Sequence, residues 1–175
     1  VVIKKPSNFE DLKLGDSVCV NGVCLTISAL DENSIAFVLA AETIKVLGSQ
    51  VESLALKNVN LERSLRFGDR IHGHLVTGHV ECLGEIISTE QLGESRQMAI
   101  KVNKELRPYI WNKGSITLHG VSLTINQVQD DIIQVCLIPE TQARTNLSLF
   151  KVGDKINIEP DYFAKAIVQN VKGNE

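Results

Sequence analysis

Residues Gly22-Val23-Cys24-Leu25-Thr26-Ile27 return 98 positions later as Gly120-Val121-Ser122-Leu123-Thr124-Ile125. The same shift carries Ser17 onto Ser115, Ile35 onto Ile133 and Glu42-Thr43 onto Glu140-Thr141. From Ser17 to Thr43, ten of the 27 paired positions are identical. Asn60-Leu61-Glu62 matches Asn157-Ile158-Glu159 at a shift of 97, so the first copy holds one extra residue. Matches kept in one order over this distance mean two tandem copies of one fold unit. A chain of 175 residues suits two small domains. We place the first unit at 1–73, the second at 74–160 and a terminal segment at 161–175. The second copy opens near Val76-Thr77-Gly78, and its counterpart would stand about 22 residues ahead of Val1. Symmetry therefore predicts that the first strand of the first unit lies outside this sequence.

Within each copy the pattern is that of short strands. Val18 to Val20, Leu25 to Leu30 and Ile35 to Leu39 are apolar and rich in β-branched residues, broken by Asn21-Gly22 and Asp31-Glu32-Asn33. Asn-Gly between two such runs signals a two-residue hairpin. The second copy repeats the pattern in Ile116 to Leu118, Leu123 to Val128 and Ile132 to Ile138. Strands at this spacing predict an all-β chain of two small antiparallel barrels, since closure removes exposed edges. Short helices are predicted at Asn8 to Leu12 and, with Pro108 near its end, at Lys104 to Trp111. Phe163, Ile167 and Val171, flanked by Ala164 and Val168, predict an amphipathic C-terminal helix. That helix has no core of its own and must pack on a barrel or on another subunit.

Composition excludes several classes. A net charge of −3, a pI near 5.8 and eight aromatic residues argue against a nucleic-acid partner. The longest apolar run, Ile35 to Ala41, is far short of the roughly 20 residues a membrane helix needs. The opening residues lack the apolar core of a secretion signal. Cys19, Cys24, Cys82 and Cys136 form no CxxC pair and no zinc-ligand pattern, which fits free thiols in a reducing cytoplasm. His72, His74 and His79 lack an HExxH helix or nearby cysteines, so no metal is expected.

The copies differ where chemistry is possible. Cys24 stands against Ser122, and Asn21 against His119. If both copies bind one kind of molecule, these exchanges would give the two molecules different roles. Thr26 and Thr124 are identical, either as β-formers with satisfied hydroxyls or as parts of a shared ligand site. Cys24 is either a small inert apolar side chain or a nucleophile. The histidines either hydrogen-bond a substrate or tie down backbone. Spacing alone makes Lys113 a solvated cation and Asp161 a helix cap.

Taken together, several motifs resemble those of riboflavin synthases: Asn21-Gly22-Val23-Cys24-Leu25-Thr26, Asn60-Leu61-Glu62-Arg63, Gly73-His74-Leu75-Val76-Thr77-Gly78-His79-Val80, Gly120-Val121-Ser122-Leu123-Thr124 and Ile138-Pro139-Glu140-Thr141. The resemblance implies two six-stranded Greek-key barrels and a C-terminal helix through which three subunits associate. It implies a cofactor-free dismutation of two 6,7-dimethyl-8-ribityllumazine molecules to riboflavin and 5-amino-6-(ribitylamino)uracil, in sites between subunits. It places Cys24, Leu25, Thr26, Val38, Leu39, Ala40, Ala41, Glu42, Thr43, Gly78, His79 and Val80 in the first-barrel pocket. The second would use Lys113, Ser122, Leu123, Thr124, Leu137, Ile138, Pro139, Glu140, Thr141 and Gln142. Catalytic roles would fall to Cys24 and His79 on one substrate and to Ser122, Lys113 and Asp161 on the other.

The family's opening Phe-Thr-Gly segment is not in this sequence. Glu42-Thr43-Ile44-Lys45 departs from the more typical Arg144-Thr145-Asn146-Leu147 of the second copy, and His72 and His119 replace an expected Gly and an expected acidic residue. The nearest rival is a non-catalytic lumazine- or flavin-binding antenna protein. Flavin domains of oxidoreductases and oligonucleotide-binding barrels fit the motifs and the charge less well.

Overall fold

Alternation of inward apolar and outward polar residues builds the strands. In Val23–Leu30, for example, Val23, Leu25 and Ile27 are buried, and Cys24, Thr26 and Ser28 are exposed. The computed structural model describes residues 1–52, 54 and 58–172. The first unit contains β1 (Val2–Lys4), β2 (Ser17–Val20), β3 (Val23–Leu30), β4 (Ser34–Phe37), helix α1 (Ala41–Leu47) and β5 (Leu61–Arg63). The second contains β6 (Cys82–Leu92), β7 (Ser95–Lys101), β8 (Ser115–Leu118), β9 (Val121–Gln129), β10 (Ile132–Leu137), helix α2 (Pro139–Arg144) and β11 (Lys155–Pro160). Helix α3 (Tyr162–Lys172) follows, and residues 173–175 of the predicted terminal segment lie outside the described residues.

The second unit is a closed six-stranded barrel in the order β10-β7-β6-β11-β8-β9. The first is a five-stranded sheet in the order β1-β4-β3-β2-β5. Under the repeat, β1 corresponds to β7, and β2 to β5 correspond to β8 to β11. The sheet order is thus the barrel order without a counterpart of β6, and it stays open there. The barrel interior is filled by Ile86, Ile100, Ile116, Ile125, Ile133 and Ile156, all fully buried. Val18, Val20, Leu25, Ile27 and Ile35 do the same for the first sheet.

Two predicted helices take other forms. Residues 8–12 form turns, held by Phe9 N–H donating to Pro6 O (3.0 Å). Five residues cannot offset helix nucleation, and Phe9 instead enters the core. Lys104–Tyr109 is a 3-10 helix, capped by the Asn103 side chain and containing Pro108. The Asn21-Gly22 hairpin is present, with φ of 49° and 84°, and His119-Gly120 repeats it at 51° and 85°.

These two turns meet back to back. A β-carbon on Gly22 would lie 2.6 Å from the Gly120 nitrogen, and one on Gly120 would lie 2.9 Å from the Gly22 nitrogen. Around them the hydrogen bonds cross between units. Asn60 Nδ2 donates to His119 O (2.9 Å), and its repeat mate Asn157 donates from Nδ2 to Asn21 O (2.8 Å). Asn21 and His119 are both buried. His119 Nδ1 accepts from Asn157 N–H (3.0 Å), and the ring meets Phe150 edge-on at 4.8 Å. The exchange of Asn21 for His119 therefore falls at the seam between units, where both side chains are buried.

Helix α3 packs its Ala164 side against the Lys104–Tyr109 turn, and Lys165 pairs with Glu81 at the start of the second unit. Phe163, Ile167 and Val171 remain exposed on its other side. Because both seam glycines combine positive φ with backbone contact, Gly22→Ala and Gly120→Ala are each expected to cost about 2 kcal/mol or more. Equilibrium denaturation measures this, and a change under 0.5 kcal/mol, roughly the noise of a surface substitution, would remove the seam from the account.

Candidate functional site

On β3 the strand period puts Cys24 and Thr26 on the sheet's outer face, while Leu25 turns into the core. The chain that crosses this face is the start of the second unit. Cys24 N–H donates to Gly78 O (2.8 Å), and a β-carbon on Gly78 would lie 2.8 Å from the Cys24 β-carbon. Only glycine, here at φ 78°, lets the two backbones meet.

That segment is held from the second unit. The buried Glu159 carboxylate accepts from Thr77 N–H (2.8 Å), Thr77 Oγ1–H (2.6 Å) and Gly78 N–H (3.0 Å). His79 and Val80, which follow immediately, are thereby set beside Cys24.

Between this segment and α1 lies a cavity of about 250 Å³. Cys24, Gly78, His79 and Val80 line one side, Ala40, Glu42, Thr43 and Val46 the other, with Val23 and Leu47 beneath. Seven of the residues assigned to the first pocket from sequence thus come together: Cys24, Ala40, Glu42, Thr43, Gly78, His79 and Val80. Leu25 faces the core, Thr26 and Val38 are exposed, and neither Leu39 nor Ala41 lines the cavity. Val23, Val46 and Leu47 were not singled out, because their apolar periodicity reads as core.

In the second unit, Ser122 and Thr124 occupy the places of Cys24 and Thr26, and Leu123 and Leu137 are buried in the barrel. Lys113 sits in an exposed turn at φ 69°, its N–H donating to Ile125 O (2.7 Å), three residues along β9 from Ser122. Ile138, Pro139 and Glu140 are exposed at the head of α2, and Glu140 pairs with Arg144 (2.5 Å). Thr141 O accepts from Thr145 Oγ1–H (2.7 Å), and Gln142 Nε2 donates to Leu137 O (3.0 Å) and Glu94 O (2.8 Å). Asp161 caps α3, its Oδ1 accepting from Phe163 N–H (2.8 Å).

The sequence leaves His74 with either a substrate or backbone as its partner; its ring in fact spans two hydroxyls of the second unit. Nδ1 lies 2.7 Å from Ser122 Oγ and Nε2 lies 3.1 Å from Thr117 Oγ1. The signal was Gly73-His74: a β-carbon on Gly73 would collide with the Ser122 side chain, so glycine is needed for the imidazole to arrive. Burial lowers the His74 pKa below the ordinary 6.5, opposed by the charges of Asp161 and Glu159.

The thiols differ in the same way. Burial, with the charge of Glu62 beside it, pushes Cys19 up to about 12, and burial pushes Cys82 up to about 11. Cys24 is exposed. Among the described residues no three His, Cys, Asp or Glu side chains cluster to hold a metal, and no helix is long and apolar enough to cross a membrane.

A family model described as the lumazine binding domain matches residues 2–64 and again residues 77–161. The riboflavin synthase of Chlamydia muridarum is 41% identical over 165 residues, covering 94% of this chain and 80% of that one. Those of Photobacterium leiognathi and Bacillus subtilis are each 36% identical, covering 94% and 100% of this chain and 75% and 81% of theirs. Among solved structures, LumP complexed with riboflavin matches at a TM-score of 0.81 and 25% identity, covering 91% of this chain and 86% of that one. LumP complexed with 6,7-dimethyl-8-(1'-D-ribityl) lumazine matches at 0.78 and 24%, which speaks to the fold alone.

Two outcomes follow from the site's ionisation. His74 has a folded pKa below its unfolded value near 6.5, so its contribution is complete above that value and lost as pH falls through the folded one. Unfolding free energy is expected to drop from pH 7 to pH 5, less steeply in His74→Ala; equal slopes would contradict the assignment. In the native protein at pH 8, a disulfide reagent is expected to modify Cys24 roughly a hundredfold faster than Cys19 or Cys82. Mass spectrometry of labelled peptides reads the order, and early labelling of Cys19 would contradict it.

Proposed function

The chain belongs to the riboflavin synthase family, and from that membership we propose that it converts two molecules of 6,7-dimethyl-8-ribityllumazine into riboflavin and 5-amino-6-(ribitylamino)uracil. The observation that carries the reading is the cavity beside Cys24, with His79 and Glu42 on its walls, on a fold unit that the chain repeats.

A dismutation takes two identical molecules in opposite roles. One gives up a four-carbon unit, two ring carbons together with the methyl groups they carry, and the other receives it, so no external oxidant or reductant is consumed. Two related but unequal pockets supply both recognition and asymmetry. Holding two rings in reacting geometry can be worth about 7–11 kcal/mol over free encounter. The 7-methyl group is conjugated to an electron-poor ring, so a modest base can take its proton. In this reading His79 and Cys24 assist proton transfer or addition on one substrate. Ser122, Lys113 and Asp161 polarise and orient the other, and residues 38–43 and 137–142 frame the two ligands.

Three copies would associate through the exposed Phe163, Ile167 and Val171 face of α3 and bring a first unit beside a neighbour's second. The cytoplasm is the compartment this chemistry implies. The likeness to LumP supports a second reading, a lumazine or flavin binder without turnover. Against it stand Ser122, Thr124 and Lys113, a polar set that a carrier does not need.

One assay separates the two. Lumazine loss is expected with riboflavin appearing at half the molar amount, and tight binding without turnover would favour the carrier. Cys24→Ala and His79→Ala are each expected to lower kcat by about tenfold or more, the scale of one transition-state contact. Activity within about twofold of the parent would reject those two roles.

A further inference from the structure

The contact between His74 and Ser122 is not used in the assignments above, and it fixes a direction for one proton. Thr117 is 1% exposed, and among the described residues its hydroxyl meets one acceptor, His74 Nε2 at 3.1 Å. A buried hydroxyl proton without an acceptor is costly, so Thr117 donates and Nε2 carries no hydrogen. The neutral imidazole then bears its proton on Nδ1, 2.7 Å from Ser122 Oγ. The His74 backbone N–H also points at that oxygen, at 3.3 Å. Two donors thus converge on Ser122 Oγ, and its own hydrogen must turn away from both.

We infer that His74 is a positioning residue that makes Ser122 a one-way hydrogen-bond donor to the ligand of the second unit. An acceptor on that ligand, a ring carbonyl oxygen or ring nitrogen, is the group it would meet. The inference rests on the reading of the preceding subsection for the identity of the ligand. The first unit is built differently: the places of Thr117 and Ser122 are taken by Cys19 and Cys24, and Cys24 N–H is bonded to Gly78 O. The directed hydroxyl belongs to one pocket only, which gives two identical molecules unequal surroundings. Asp161 and Glu159 are the carboxylates whose charge reaches the ring, and Asp161 stays tied to the α3 N-terminus.

The test has a spectroscopic arm and a kinetic arm. Proton–nitrogen correlation spectra of the ligand-free protein are expected to show His74 protonated at Nδ1; protonation at Nε2 overturns the inference. His74→Asn keeps an amide near the place of Nδ1, and His74→Gln puts one near Nε2. With 6,7-dimethyl-8-ribityllumazine, His74→Asn is expected to retain kcat within about threefold. His74→Gln and His74→Ala should each lose about tenfold, the worth of one hydrogen bond. The loss in Ser122→Ala should not deepen when His74→Ala is added, because both act through one contact. Losses that multiply, or a His74→Gln variant as active as His74→Asn, overturn the inference. A parent protein that does not consume the lumazine would overturn the synthase reading instead, and the spectra would still decide the tautomer.

Discussion

The contact between Gly22 and Gly120 governs where everything else can stand. Each turn needs left-handed backbone at two successive residues, and each is closed over by the other turn's main chain. The side chains around them reach across the seam, Asn60 donating to the His119 carbonyl and Asn157 to that of Asn21. Asn146 adds a third tie, donating from N–H to Asn60 Oδ1 (2.9 Å) and from Nδ2 to Asn21 Oδ1 (3.0 Å). Buried amides of this kind resist sliding, because any shift strands several of them at once. Cys24 and Ser122 lie two residues beyond the turns, so the seam also sets the spacing of the two candidate sites.

From that arrangement the units exchange parts. The segment opening the second unit is gripped by Glu159 of its own unit, yet His79 and Val80 line the cavity of the first. The first copy therefore does not hold a complete site on its own. Glu62, the repeat mate of Glu159, shows the other half of the pattern. Partial desolvation raises its carboxyl pKa although the residue is largely exposed, and among the described residues no donor bonds it. The first sheet is open at the same place, where the barrel has β6. What the duplication supplies is a pair of places, similar in backbone and unlike in side chains.

Much of this is legible in the sequence because period-two alternation and Asn-Gly punctuation act locally. The strands around Cys24 and Ser122, the hairpin turns and α3 all follow from such patterns. The family resemblance brought together seven residues of the cavity even though these lie on separate elements. Other features depend on partners distant in sequence. That Asn21 and His119 meet at a seam is visible only once the turns are seen to face each other. Residues 8–12 have helical spacing, but Phe9 gains more from the core than five residues gain from a helix. For His74 the local mark is the glycine before it, which does not reveal the partners, since Thr117 and Ser122 are more than 40 residues away. Leu25 and Leu123 sit inside matched motifs and Leu137 just before one, all facing the core, which their own alternation with Cys24, Ser122 and Cys136 already indicates.

Counting bound ligand tests the copied pocket most directly. Equilibrium dialysis of the protein against riboflavin, which undergoes no onward conversion in this scheme, gives the number of molecules held per chain at saturation. Two per chain, with a bulky residue in place of Cys24 abolishing one and a bulky residue in place of Ser122 abolishing the other, is the predicted result. A single site per chain, unaffected by the substitution at Ser122, would contradict the account.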